Sequence, residues 1–187
     1  MKKGDAKRDT VPCVRYRITS KTKIIWKLIC AWTKLQSSRR QSIAFICEVM
    51  YKSFGDGDLI ANAVASNNEK VLTIMREFTS DVCVVEFDSN ADNIPSLIDL
   101  IFYKDTDALL YEWLNKQTSI LNSLSFAIYS FIRMYGMKDV VSVIVEFMLK
   151  DRSFFDAFDL LPTASTNNNA GSTGTDTNGK LDIDAVL

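Results

Sequence analysis

An apolar segment, Ile120–Tyr135, constrains the fold of this chain more than any other feature. Large apolar residues occur on most sides of the helix that it would form, and Gly136 follows at a position where glycine often ends helices. A helix that is apolar around most of its circumference is normally buried at the centre of a bundle. The segment therefore predicts a bundle built around one central helix.

The rest of the chain also favours helices over sheets. It has only 7 glycines and 3 prolines in 187 residues, few for the many tight turns of a barrel or sandwich. Residues 82–87 are rich in valine but have no visible partner strand, so they are predicted as a helix or an extended connector. Capping residues and glycines predict helices at 20–36, 38–54, 59–65, 66–78, 93–103, 105–116, 120–135, 138–149 and 153–161.

These segments indicate one all-α domain, a compact bundle of about seven to nine helices over residues 19–161. Residues 19–54 would supply basic helices, and residues 56–161 an acidic and apolar helical body. The polar, basic residues 1–18 are predicted to form a flexible arm. Residues 162–187 contain a long run of Asn, Thr, Ser and Gly that buries too little surface to offset its chain entropy, so a disordered polar tail is predicted.

Charge is divided by position along the chain. Residues 1–52 hold 13 of the 22 Lys and Arg but 3 of the 23 acids, a local balance of +10. Residues 53–187 hold the other 9 basic and 20 acidic residues, a balance of −11. A basic segment this dense usually meets a polyanion, a membrane surface or an acidic protein face, which here includes the chain's own second half.

The basic residues follow a pattern that suits a phosphate backbone. Lys23, Lys27 and Lys34 lie within about 40° of one another on a helical wheel, opposite an apolar arc. Trp26 lies at the edge of this stripe, as a stacking or packing neighbour. Such a stripe binds phosphates through counterion release, without reading bases. The predicted nucleic-acid-binding residues are Arg15, Arg17, Lys21, Lys23, Lys27, Lys34, Arg39 and Arg40.

The sequence offers little for catalysis or for metal binding. It has no histidine, no glycine-rich phosphate loop and no nucleophile elbow, so no enzymatic activity is predicted. Residues 88–99 imitate a calcium-binding EF-hand loop, but Asn93 replaces the turn glycine and Asp99 the bidentate glutamate. A loop between helices is predicted there instead, and no cofactor or metal is expected.

The cysteines and the apolar run near the N-terminus indicate where in the cell the protein is expected. The four cysteines are too widely spaced for a zinc site and are predicted to be buried free thiols, which fits a reducing compartment. The apolar run Ile24–Trp32 contains Lys27 and is too short to span a bilayer. A cytoplasmic location is expected and a membrane partner is not. A membrane-surface role would require the apolar arc of this helix to be exposed.

In size, helicity and a basic N-terminal half, the chain resembles the small helical RNA-binding proteins of plant viruses that suppress RNA silencing, such as those of closteroviruses. The resemblance implies a non-catalytic RNA-binding protein and assigns no individual residues.

Two alternatives belong to other functional classes. A long apolar central helix also resembles the architecture of Bcl-2-like regulators, although the chain lacks their Asn-Trp-Gly-Arg signature; this would imply a protein-interaction module. The second alternative is a structural subunit whose opposite charges serve assembly. A molecule with one basic and one acidic part can associate head to tail, as a ring or a filament, so a homo-oligomer is expected.

Overall fold

The computed structural model describes residues 14–19, 21–89, 94–103 and 107–149. These residues are rich in helix, which confirms the predicted all-α class in its coarse form, and one small sheet of two strands is added. The elements are β1 (Val14–Arg17), α1 (Ile24–Leu35), α2 (Arg39–Phe54), α3 (Leu59–Ala65), α4 (Glu69–Thr79), β2 (Leu97–Leu100), α5 (Ala108–Asn115), α6 (Ile120–Tyr135) and α7 (Val140–Leu149).

Helix α6 is the centre of the fold, as its apolar circumference predicts. Every residue from Ser123 to Ile132 is buried, and the helix contacts α1, α2, α3, α4 and β1. The Ser119 hydroxyl caps its start by accepting a hydrogen bond from the backbone N–H of Asn122. Gly136 ends it with φ +76°, a conformation that side chains with a Cβ rarely adopt.

The sheet corrects two predictions. Residues 93–103 were predicted as a helix, but Leu97–Leu100 is a strand that pairs antiparallel with Val14–Arg17. Val14–Arg17 was predicted to belong to the flexible basic arm, but it forms the partner strand. Both strands alternate buried and exposed side chains, as a sheet with one face on the core requires. The Tyr16 hydroxyl lies 2.8 Å from Ser125 Oγ and ties the sheet to α6.

The helix starts are close to those predicted, but the caps differ. The helix predicted at 66–78 with Ser66 as its cap begins later, because Asn68 caps α4 by accepting hydrogen bonds from two backbone N–H groups. Ser38 stands at the start of α2 as predicted, but its hydroxyl makes no capping hydrogen bond. Residues 82–89 contain neither helix nor strand, in agreement with the extended-connector alternative. The predicted arm before residue 14, the helix at 153–161 and the tail at 162–187 lie outside the described residues.

The structure bears on two of the predictions made from composition, the state of the cysteines and the presence of membrane-spanning helices. Cys30 and Cys47 are free and buried as predicted, whereas Cys83 is free but only partly buried. Burial raises the pKa of the Cys30 thiol to about 12, which makes it a poor nucleophile. No helix in the described ranges is both long enough and apolar enough to cross a membrane.

Candidate nucleic-acid interface

The turn between β1 and α1 gathers three of the predicted basic residues. Thr22 Oγ1 accepts a hydrogen bond from the backbone N–H of Thr19 at 2.7 Å and donates one to the Arg17 carbonyl at 3.3 Å. These bonds keep the chain in a tight turn, with Arg17, Lys21 and Lys23 exposed around it. None of the three makes an ion pair within the described residues. We call Arg17, Lys21 and Lys23 the basic turn.

Asp81 fixes the start of α1 beside the basic turn. Its two carboxylate oxygens accept hydrogen bonds from the backbone N–H groups of Ile24 at 3.0 Å and Ile25 at 3.1 Å. A carboxylate is favourable at this end of a helix, where unpaired N–H groups point outward. Asp81 itself has φ +55°, a conformation that aspartate tolerates better than most residues. An aspartate from the acidic half of the chain therefore helps to hold Lys23 in place.

Replacing Asp81 with alanine should lower the free energy of unfolding by about 1–2 kcal/mol, the usual cost of removing a helix cap. Asp81→Asn should cost less, because asparagine keeps an acceptor oxygen and tolerates a positive φ. Urea denaturation of both variants measures the difference. If the alanine variant is as stable as the wild type, the capping role assigned to Asp81 is wrong.

The lysine stripe on α1 continues from the basic turn. Lys27 is partly buried and lies one helical turn, about 6 Å, beyond Lys23. Lys34 is exposed but lies about 16 Å beyond Lys23 along the axis, at a separate groove that includes Asp88. The structure therefore brings Lys27, but not Lys34, close to the basic turn.

The opposite side of α1 is packed into the core. Leu28 and Trp32 are fully buried, so the exposed apolar arc that a membrane-surface role requires is absent at these residues. Trp26 packs edge-on against Tyr16, with ring centroids 6.1 Å apart. Of its two predicted roles, the contact with Tyr16 supports packing.

A second group of basic residues surrounds an open groove of about 250 Å³ between the start of α2 and the end of β2. Arg39 and Arg40 line one side, and residues 99–103 line the other. Arg15 reaches this groove through Asp99, whose two carboxylate oxygens accept hydrogen bonds from Arg15 Nε at 2.7 Å and Nη2 at 3.0 Å. We call this feature the arginine groove.

The two arginines of α2 differ in their partners. Arg40 forms an ion pair with Asp107, and its guanidinium carbon lies 5.6 Å from the centre of the Tyr103 ring. Such a cation–π contact holds the guanidinium plane in position. Arg39 is exposed and makes no ion pair within the part of the chain that the structure describes.

Strand β1 joins the arginine groove to the basic turn. Arg15 and Arg17 both lie on the exposed face of β1, two residues apart, which separates them by about 7 Å. We call the whole region the basic surface. It consists of Arg15, Arg17, Lys21, Lys23, Lys27, Arg39 and Arg40.

The charge division of the sequence is partly compensated inside the molecule. Arg15 and Arg40, from the basic half, pair with Asp99 and Asp107 from the acidic half. Neither aspartate, nor Asp81, is indicated by the sequence as part of the interface. The only signal for them was the general expectation that the acidic half could face the basic one.

The described residues contain no group of three or more His, Cys, Asp or Glu arranged to hold a metal ion. What the interface offers chemically is a row of cationic hydrogen-bond donors. Comparison with models of known protein families, with curated protein sequences and with solved structures gives no match for this chain.

Proposed function

We propose that this chain is a non-catalytic nucleic-acid-binding protein of the cytoplasm, which binds RNA through phosphate contacts at the basic surface. One observation carries the proposal. Five of the predicted basic residues lack an acidic partner within the described residues, and four of them adjoin the basic turn or belong to it. The five are Arg17, Lys21, Lys23, Lys27 and Arg39.

The proposed binding mode is electrostatic and independent of base sequence. Lysine and arginine side chains release counterions when they neutralise phosphates, and this supplies most of the affinity of sequence-independent binding. Trp26 is packed against Tyr16, so the surface does not depend on stacking of bases on this ring. RNA is proposed over DNA because of the resemblance in size, helicity and charge to the RNA-binding suppressors of plant viruses.

Replacing Arg17, Lys21 and Lys23 together by alanine should weaken RNA binding about tenfold at moderate salt. Each phosphate contact contributes about 0.9 for a duplex and about 0.7 for a single strand to the slope of log affinity against log salt concentration, so the slope should become shallower by about 2 to 3. Fluorescence anisotropy of labelled single-stranded and double-stranded RNA, titrated at several salt concentrations, measures both quantities.

A matched control removes the same charge elsewhere. Lys52, Lys70 and Lys116 are exposed residues outside the basic surface, and their replacement by alanine should change the affinity by less than about threefold, because charges beyond a Debye length are screened. An equal loss in both triple variants would contradict the assigned surface. A folded wild type that binds no RNA at low salt would contradict the proposed function.

A second candidate function is protein interaction through an apolar surface, which differs from the salt-sensitive head-to-tail self-association that the charge division would drive. The observation that favours it is an exposed apolar face on α7, where Val141, Val145 and Met148 are between 45% and 66% exposed. A protein partner bound through this face would show little dependence on salt, whereas RNA bound to the basic surface would be released as salt rises.

A further inference from the structure

The arginine groove contains carboxylates where a nucleic-acid-binding surface would be expected to attract phosphates. We infer that this groove seats a phosphate group of the bound RNA, and that Asp99 and Asp107 hold Arg15 and Arg40 until the phosphate displaces them. The inference rests on the proposed function and specifies how one part of that surface works.

The geometry of the Arg15–Asp99 pair supports this exchange. Arg15 donates two hydrogen bonds from adjacent nitrogens to the two oxygens of one carboxylate. A phosphate presents two oxygens to a guanidinium in the same forked arrangement. A phosphate that displaces the Asp99 side chain can therefore accept the same two hydrogen bonds from Arg15.

The exposure of the pairs indicates that they can be exchanged. In the first pair the Arg15 side chain is 58% exposed and Asp99 32%; in the second Arg40 is 43% exposed and Asp107 only 15%, so water and salt reach both guanidinium groups and the Arg15–Asp99 pair is the more open to exchange. Ion pairs at such sites are weak and are screened by salt. A polyanion that brings several phosphates at once competes with them effectively, because the first contact raises the local concentration of the next.

Two other residues of the groove complete the proposed site: Arg39 makes the first contact with the phosphate, and Tyr103 orients the Arg40 guanidinium. Arg39 makes no ion pair within the described residues and lines the groove beside Arg40, so it is available to an arriving phosphate. The Tyr103 ring keeps the Arg40 guanidinium in place whether its partner is Asp107 or a phosphate. Three guanidinium groups would then surround one or two phosphates.

The test replaces both aspartates by asparagine, which keeps their size and removes their charge. The variant Asp99→Asn/Asp107→Asn should bind RNA about tenfold more tightly than the wild type, because the phosphate no longer has to displace two carboxylates from Arg15 and Arg40. The control is Asp56→Asn/Glu69→Gln, which removes two acids that pair with Lys116 and Arg76 outside the groove. It should tighten binding by less than about twofold.

Every outcome of this comparison either supports or overturns the proposed exchange of carboxylate for phosphate. A gain confined to the groove variant, or RNA binding that appears only in that variant, supports the inference. Equal gains in both variants would show a general effect of net charge and overturn it, as would a wild type that binds RNA no less tightly than the groove variant. If neither the wild type nor any variant binds RNA, the proposed function fails and this inference fails with it.

The chemical source of the phosphate is resolved in the same titrations. RNAs that carry either a 5′-phosphate or a 5′-hydroxyl are compared on the wild type and on Arg39→Ala. A preference for the 5′-phosphate that Arg39→Ala abolishes assigns the groove to the terminal phosphate. Equal affinities for the two RNAs, both lowered by Arg39→Ala, assign it to a backbone phosphate. If Arg39→Ala changes neither affinity, no phosphate is seated there.

Discussion

Replacing Trp32 by alanine should lower the free energy of unfolding by about 3–5 kcal/mol, the usual cost of truncating a fully buried tryptophan. The side chain of Trp32 is completely buried, and its ring lies 5.8 Å from that of Phe131 on α6. The loss combines the transfer of apolar surface to water with a cavity that the surrounding side chains fill only partly.

Trp32 also connects α1 to the segment that precedes α7. Its indole Nε1 donates a hydrogen bond to the Lys138 carbonyl at 2.9 Å, and Gln36 Nε2 donates to the same carbonyl at 3.2 Å. The carbonyl would keep one donor in the alanine variant, so most of the expected loss comes from packing. Because Lys23 flanks the start of α1 and Lys27 lies on it, loosening of this helix should also weaken the RNA binding that we propose.

Two further variants make the measurement specific. Trp32→Phe keeps an aromatic ring at the contact with Phe131 and should cost about 1–2 kcal/mol. Leu35 lies on the same helix but is 50% exposed, so Leu35→Ala should change the stability by about 0.5 kcal/mol or less. Urea denaturation followed by circular dichroism gives all three values. If Trp32→Ala unfolds at the same urea concentration as Leu35→Ala, Trp32 does not have the core position described.

The central part of the fold was predictable because its signal is local. Ile120–Tyr135 is apolar around its circumference and ends at a glycine, and both properties are visible in a short window of sequence. The sheet was not predictable in the same way. Residue 14 pairs with residue 100, so neither strand has a neighbour nearby in the sequence that would indicate a hairpin. Four residues with alternating burial are also too few to distinguish a strand from part of a helix.

The candidate interface was also predictable only in part, for the same reason. Lysine and arginine are rarely buried without a partner, so the sequence alone could indicate which residues form a basic surface. Which of them are already paired depends on the tertiary arrangement. Arg15 and Asp99 are 84 residues apart, and Arg40 and Asp107 are 67 residues apart. No local pattern links residues at such separations, and both pairs become apparent only when β1, β2, α2 and the start of α5 are placed together.

Glu77 joins α4 to α6 through a partly buried network, and its removal should cost about 2–3 kcal/mol. Arg133 donates hydrogen bonds to both carboxylate oxygens, from Nε at 2.7 Å and from Nη2 at 3.1 Å. The Tyr129 hydroxyl donates a third at 2.9 Å. The Glu77 side chain is only 13% exposed, so Glu77→Ala would remove a partly buried acceptor from Arg133, while the Tyr129 hydroxyl would keep the Val82 carbonyl at 3.2 Å as its acceptor.

The charge of Glu77 makes part of this stability dependent on pH. Burial raises the pKa of Glu77, but hydrogen bonds from Arg133 and Tyr129 and the charge of Arg133 outweigh it, so the pKa lies below its ordinary value. The folded state therefore binds this proton less readily than the unfolded chain, whose glutamate pKa is about 4.3. The contribution is complete above that value and is lost as the pH falls through the lower pKa of the folded state.

Glu77→Gln separates this charge from the packing of the side chain. The variant should be less stable than the wild type at about pH 7, and the gap in the free energy of unfolding should begin to narrow below about pH 4, because the stability that ionised Glu77 contributes is lost below the pKa of the unfolded chain. Glu69→Gln is the matched control, because Glu69 lies on the same helix, is 78% exposed and faces Arg76 at 3.6 Å. An ion pair at such an exposed site contributes about 0–1 kcal/mol, so Glu69→Gln should show only a small gap over the whole range. Urea denaturation of the three proteins over this pH range measures both gaps. If the gap for Glu77→Gln stays constant or widens as the pH falls, an ionised Glu77 is not the acceptor for Arg133 and Tyr129.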